Sequence, residues 1–152
     1  MAADILTVCD ALVTTVTNGL TAPTDAVVER LYLAPMDMAS DTDRHVWIFP
    51  AVFGSNPENR GEDSLTYRVG VIVAERYTSP GEPTVAWTDT RVTFTQDKVY
   101  DALDFSRAPL TFATTRRLLT TSGEIAVYDP DRLQRGLFWS EMTLEFREIK
   151  VI

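Results

Sequence analysis

The chain has 152 residues, 45% hydrophobic and 24% charged, with 7 glycines and 8 prolines, which suits one domain able to bury its own core. Fourteen Lys and Arg against 22 Asp and Glu give a net charge of −8, and that balance argues against nucleic acid or an anionic membrane as partner, since both demand a positive field. Cys9 is the single cysteine, so no intrachain disulfide can form, and no apolar run approaches the ~20 residues that span a bilayer.

The first residues, Met1-Ala2-Ala3-Asp4, lack the basic start and apolar run of a signal peptide, so the expectation is a soluble cytoplasmic protein. Asp4 is placed to cap a helix whose apolar stripe is Ile5, Val8, Cys9, Leu12, Val13 and Val16, with Asn18-Gly19 as its stop. Residues 27–33 alternate as a strand that Pro35 ends, and residues 37–43 read as an acidic loop. His45 begins a second strand, which Pro50 disturbs and residues 51–53 continue past a bulge or along an edge. Residues 54–63 are nearly free of apolar side chains and read as a long, mobile hairpin tip, and residues 78–86 as a second mobile loop. Between these tips, Leu65, Tyr67, Val69, Val71 and Val73 alternate with Thr66, Arg68, Gly70 and Ile72 in a long strand.

A helix is expected within residues 89–104, more securely in its second half, with Phe94 off the apolar line. Residues 117–120 and 124–128 flank Thr121-Ser122-Gly123 as a short hairpin. The last stretch alternates Phe138, Ser140, Met142, Leu144 and Phe146 against Trp139, Glu141, Thr143, Glu145 and Arg147, and pairs best with the strand over residues 65–77. The fold class expected is α+β: one domain, a twisted and mostly antiparallel sheet with two main helices on one face.

Chemistry is sparse. The lone histidine, His45, has no titrating partner at motif spacing and reads as a strand-edge polar residue. Cys9 lies on an apolar stripe, where a thiol is inert. Asp37, Asp41 and Asp43 lack the spacing of a calcium loop, and no phosphate cradle or nucleophile elbow is present. Glu141, Glu145 and Arg147 on one strand face read as a charge ladder, and Arg116, Arg117, Arg132 and Arg135 as partners for carboxylates of a neighbouring subunit. No catalytic residue, cofactor or metal is assigned.

The opening helix over residues 5–12, the strand Val27-Val28-Glu29-Arg30-Leu31-Tyr32, the long strand around Tyr67-Arg68-Val69-Gly70-Val71-Ile72-Val73 and the closing strand around Trp139-Ser140-Glu141-Met142 follow one another along nearly the whole chain, with no signature motif among them. In that order and in length the chain resembles the tail terminator proteins of long-tailed bacteriophages, the lambda-like minor tail protein U family. The resemblance implies a non-enzymatic virion protein, assembled in the host cytoplasm. It would form a hexameric ring that caps the finished tail tube and presents a surface to the head connector. Its expected partners are therefore other copies of itself, the tube protein and connector or neck proteins. Ring contacts are heterologous, and the first residues to examine for them are Arg60, Glu62, Asp63, Arg116 and Arg117. The alternatives are a neck or head-completion protein, a cytoplasmic interaction module, and a small carboxylate-based enzyme or ligand-binding domain.

Overall fold

A computed structural model describes residues 3–20, 25–35, 42–59 and 62–151, with backbone alone at 56–59, 62–64 and 149–151. In chain order its elements are α1 (Asp4–Gly19), β1 (Val27–Arg30), β2 (His45–Asn59), β3 (Glu62–Arg76), α2 (Val85–Phe94), β4 (Leu110–Phe112), β5 (Arg116–Ala126), α3 (Pro130–Gln134) and β6 (Leu137–Val151). A π-helical turn (Thr95–Tyr100) and a 3-10 turn (Asp101–Leu103) prolong α2. The described strands form one sheet in the order β1-β2-β3-β6-β5-β4, parallel between β1 and β2 and antiparallel elsewhere. The fold is α+β, as the patterning predicts.

The two best alternating stretches lie side by side at the centre. β3 and β6 pair continuously from Glu62↔Val151 to Arg76↔Leu137. Period 2 then sends Leu65, Tyr67, Val69, Val71 and Val73 to the same side as Phe138, Met142, Leu144 and Phe146, all of them buried. That side is covered by helices. Val8, Cys9, Leu12 and Val16 of α1 pack on it, with Phe94, Val99 and Leu103 from α2 and its continuation. The hydroxyls of Thr14, Thr15 and Thr17 donate to the carbonyls four residues back, so the threonines of α1 meet their hydrogen-bonding needs within the helix.

Several local expectations are corrected. Asp4 opens α1 without capping it: the cap position is Ala3, which offers no side-chain acceptor, and the Asp4 carboxylate turns to Arg116 at 3.1 Å. β1 ends at Arg30, after which Tyr32 and Leu33 stand exposed. The tip expected over 54–63 is instead mostly strand, for β2 runs to Asn59 and β3 starts at Glu62, with register shifts at Pro50/Val52 and Pro57/Asn59. Pairing with β6 on the far side of β3 holds these polar residues in the sheet despite their composition. Within 78–86, Thr84 caps α2 by accepting from the Trp87 amide at 3.2 Å, so the helix begins at Val85. No hairpin turns at Thr121-Ser122-Gly123. β5 passes through as one strand with a bulge between Thr120 and Ser122.

Candidate interaction surface

Most of the interior charge is spent on two closed networks at opposite ends of the helix-covered face. At one end Glu148 is fully buried. Its Oε2 accepts from Arg116 Nε at 2.5 Å, and its Oε1 accepts from Arg116 Nη2 and the Tyr67 hydroxyl, both at 2.6 Å. At the other end, Glu75 takes Arg44 on Oε1 at 2.5 Å and Arg91 on Oε2 at 2.6 Å. All three guanidinium groups also lie over aromatic rings, Arg116 over Phe112, Arg44 over Phe94 and Arg91 over Trp87, at 4.2–4.8 Å from the ring centres. Bidentate pairing with Glu148 holds the Arg116 charge in place and raises its pKa, while burial and the carboxylate beside it push the Tyr67 phenol well above its ordinary value. These carboxylates are saturated with fixed donors, an arrangement that orders the sheet and leaves no oxygen poised to take a proton from a substrate.

The opposite face of the sheet is not covered by α1 or α2. One end of it is apolar: Trp47, Ala74 and Trp139 form a buried cluster, with Leu31, Ala34, Phe49, Ile72 and Leu137 half-buried around it. Both indole N–H groups are satisfied within the chain, Trp47 by Glu29 at 3.3 Å and Trp139 by Glu141 at 2.9 Å, and Arg132 lies 3.8 Å over the Trp139 ring. Tyr32 and Leu33, 67% and 85% exposed, adjoin this end in sequence. The remainder is charged. An open groove of about 490 Å³ is lined by Arg68, Ser122, Gly123, Glu124, Thr143 and Glu145, where Arg68 and Glu145 approach to 3.5 Å. A smaller hollow of about 200 Å³, lined by Tyr100, Leu103, Asp104 and Thr120 among others, sits where the 3-10 turn meets β5.

Strand edges are open as well. β1 accompanies β2 only as far as Ile48, and β4 accompanies β5 only as far as Leu118. Beyond those points the outer edges of β2 and β5 meet no further strand among the described residues. On β2 the open run carries Pro50 and Pro57 at its two register shifts, devices that discourage a strand from adding there. The β5 run has no proline.

Of the residues singled out from sequence, Arg117 is exposed on the uncovered face. Arg116 is not available to a neighbour, because its guanidinium is committed to Glu148, Tyr67 and Asp4 of its own chain. Glu62 and Asp63 begin β3, opposite Val151 and Lys150, with their side chains outside the described residues, where Arg60 also falls. His45 is buried and stacked on Trp47 at 5.1 Å, more enclosed than an edge residue. Cys9 is buried on the sheet-facing side of α1, which pushes its thiol up to about 12. Asp43 lies within the described residues, Asp37 and Asp41 outside them, and no cluster of three metal-ligating side chains occurs among the described residues. No described helix is long and apolar enough to cross a membrane. Sequence reasoning missed Glu148 and Glu75; their one signal was a glutamate falling in phase with the apolar positions of a strand. Among known proteins, no family model matches the chain and no curated protein does.

Proposed function

We propose that the chain is a structural assembly protein of the tail-terminator kind. Copies of it close into a ring at the head-proximal end of a phage tail tube, end the tube's growth and offer a seat to the head connector, without catalytic residue or cofactor. One observation carries this reading: a sheet with one face sealed by α1 and α2 and locked by buried ion pairs, and the other left open over its charged half, where Arg68, Arg117, Glu124 and Glu145 lie beside a buried tryptophan cluster. The order of elements, which resembles the terminator family, supplies the identity of the partners.

Light scattering and negative-stain microscopy of the purified protein test the ring. The expected result is a closed ring of about six copies. A single-chain mass persisting at high concentration overturns the reading. Removal of the gene from a phage that carries it should then give overlong tails; separate heads with tails of normal length would identify a neck protein in its place.

A further inference from the structure

We propose that the open edge of β5 takes up an extended segment of another protein as one more strand, and that an aliphatic side chain of that segment fills the hollow beside Gly123. This goes beyond the ring reading, since each chain carries the edge by itself.

Past the bulge at Thr120/Ser122, residues Ser122 to Ala126 run in unbroken register with Glu145 to Glu141 of β6, and β4 has already ended its pairing at Leu118. On the outer side, every second residue of this run turns an N–H and a C=O away from the sheet. Edges that stay bare are commonly blunted by proline or lysine. β2 carries Pro50 and Pro57, whereas Ser122-Gly123-Glu124-Ile125-Ala126 holds neither residue type.

The hollow selects the kind of segment. Cross-strand neighbours share a side of the sheet, so a residue opposite Gly123 points as Gly123 and Leu144 do, to the helix-covered side. There lies the hollow of about 200 Å³, lined by Tyr100 and Leu103 from the helical layer and by Leu144 from the sheet. Cavities of about 150 Å³ hold a benzene-sized group, which leaves room for a leucine side chain. Much of the polar lining is already spent within the chain. The Thr120 hydroxyl accepts from the Phe105 amide and donates to the Leu103 carbonyl, the Thr121 hydroxyl donates to the Glu145 carbonyl, and the Asp104 carboxylate accepts from the Ser106 amide. An aliphatic group enters without taking partners from any of these. Further along the edge, at the same spacing of two, stand half-buried Ile125 and, just past the strand, Val127, 39% exposed. The segment that suits this row is extended, free of proline, and aliphatic at alternate positions.

Charge gives the edge little sign, for Arg107 stands near Asp104 and Arg68 pairs with Glu145, leaving Glu124. The β5 strand of a second copy is a poor occupant. Past the bulge its one aliphatic group on the helix-covered side is Ile125. Setting that residue opposite Gly123 brings the two copies of Glu124 face to face, a destabilising pair.

A labelled peptide tests this, with lysine at each end, threonine at every second position, and valine, valine and leucine in turn between the threonines. It should bind by fluorescence anisotropy, slow hydrogen exchange at amides between Ser122 and Ala126, and bind about 10-fold more weakly when aspartate replaces its leucine. Ser106→Trp, at an exposed position on the rim of the hollow, should weaken the leucine peptide similarly and leave the aspartate peptide unchanged. Far-UV circular dichroism and urea unfolding verify that this variant is folded. Absence of binding at ~1 mM peptide, equal binding of the two peptides, or slowed exchange elsewhere than on β5 overturns the proposal. So does protection of the same amides without peptide that vanishes on dilution, which would assign the edge to a second copy. The ring reading is tested separately, by the mass of the protein alone.

Discussion

Gly123 shows how tightly one residue can be specified. A Cβ built there would lie 2.7 Å from the Tyr100 hydroxyl and 2.9 Å from Leu144 Cδ2, so the π-helical turn can rest on β5 only where the strand has no side chain. Gly123→Ala is expected to cost about 1–3 kcal/mol through overpacking, read as a lower urea midpoint at unchanged slope. Cys9 is specified by burial instead. Its folded thiol is raised to about 12 from an ordinary 9.0, so between those values the unfolded chain sheds a proton that the folded chain retains. Stability is then complete below pH ~9 and falls by about 1.4 kcal/mol for each pH unit above it. Tyr67, raised likewise by burial, adds to the loss above the ordinary tyrosine value. Urea unfolding at stepped alkaline pH should show this decline, and Cys9→Ala should make its first part shallower by that amount.

At the scale of elements, α2 shows where the pattern could be read and where it could not. Val99 and Leu103 sit at helical spacing, but Phe94 precedes Val99 by five residues, too far for one face of an α-helix. The chain answers with a π turn, whose wider coil brings Phe94, Val99 and Leu103 into the same core. The start was hidden for another reason: Thr84 lies in a Pro- and Gly-rich stretch that reads as loop, although its hydroxyl caps the helix. Thr84→Ala should cost about 1 kcal/mol in thermal or urea unfolding, and Thr84→Ser little. β3, β6 and α1 were legible because each strands or coils one unbroken apolar set. β5 was not, since Thr121-Ser122-Gly123 looks like a turn unless the bulge against β6 and the packing of Tyr100 are known.

For the molecule as a whole, the two buried carboxylates act as end-stops of a single sheet. Glu75 lies on β3 itself, and Glu148 stands opposite Leu65, ten positions away along that strand, or about 33 Å at the usual rise. The Glu148 network also reaches the first turn of α1 through Asp4, and the Glu75 network reaches α2 through Arg91. Each helix is thus tied to the sheet at a different end. Removing Glu75 takes the shared carboxylate from two half-buried arginines, and removing Glu148 leaves half-buried Arg116 with Asp4 alone and the Tyr67 hydroxyl without its acceptor. Glu148→Gln, at the fully enclosed site, should cost about 3–5 kcal/mol, and Glu75→Gln, at a site closer to solvent, less than that. If the domain unfolds as one unit, hydrogen exchange at the central amides of Val69, Gly70 and Val71 must register either loss in full. Their protection free energy should fall in each variant by the same amount as the global stability, though neither substitution touches them. Central amides that kept their protection in one variant while the nearby end exchanged freely would show two separately melting halves. Such a split would mean that the ion pairs at the two ends hold separate halves of the sheet, and that β3 and β6, though paired along their whole length, do not carry the strain from one end to the other.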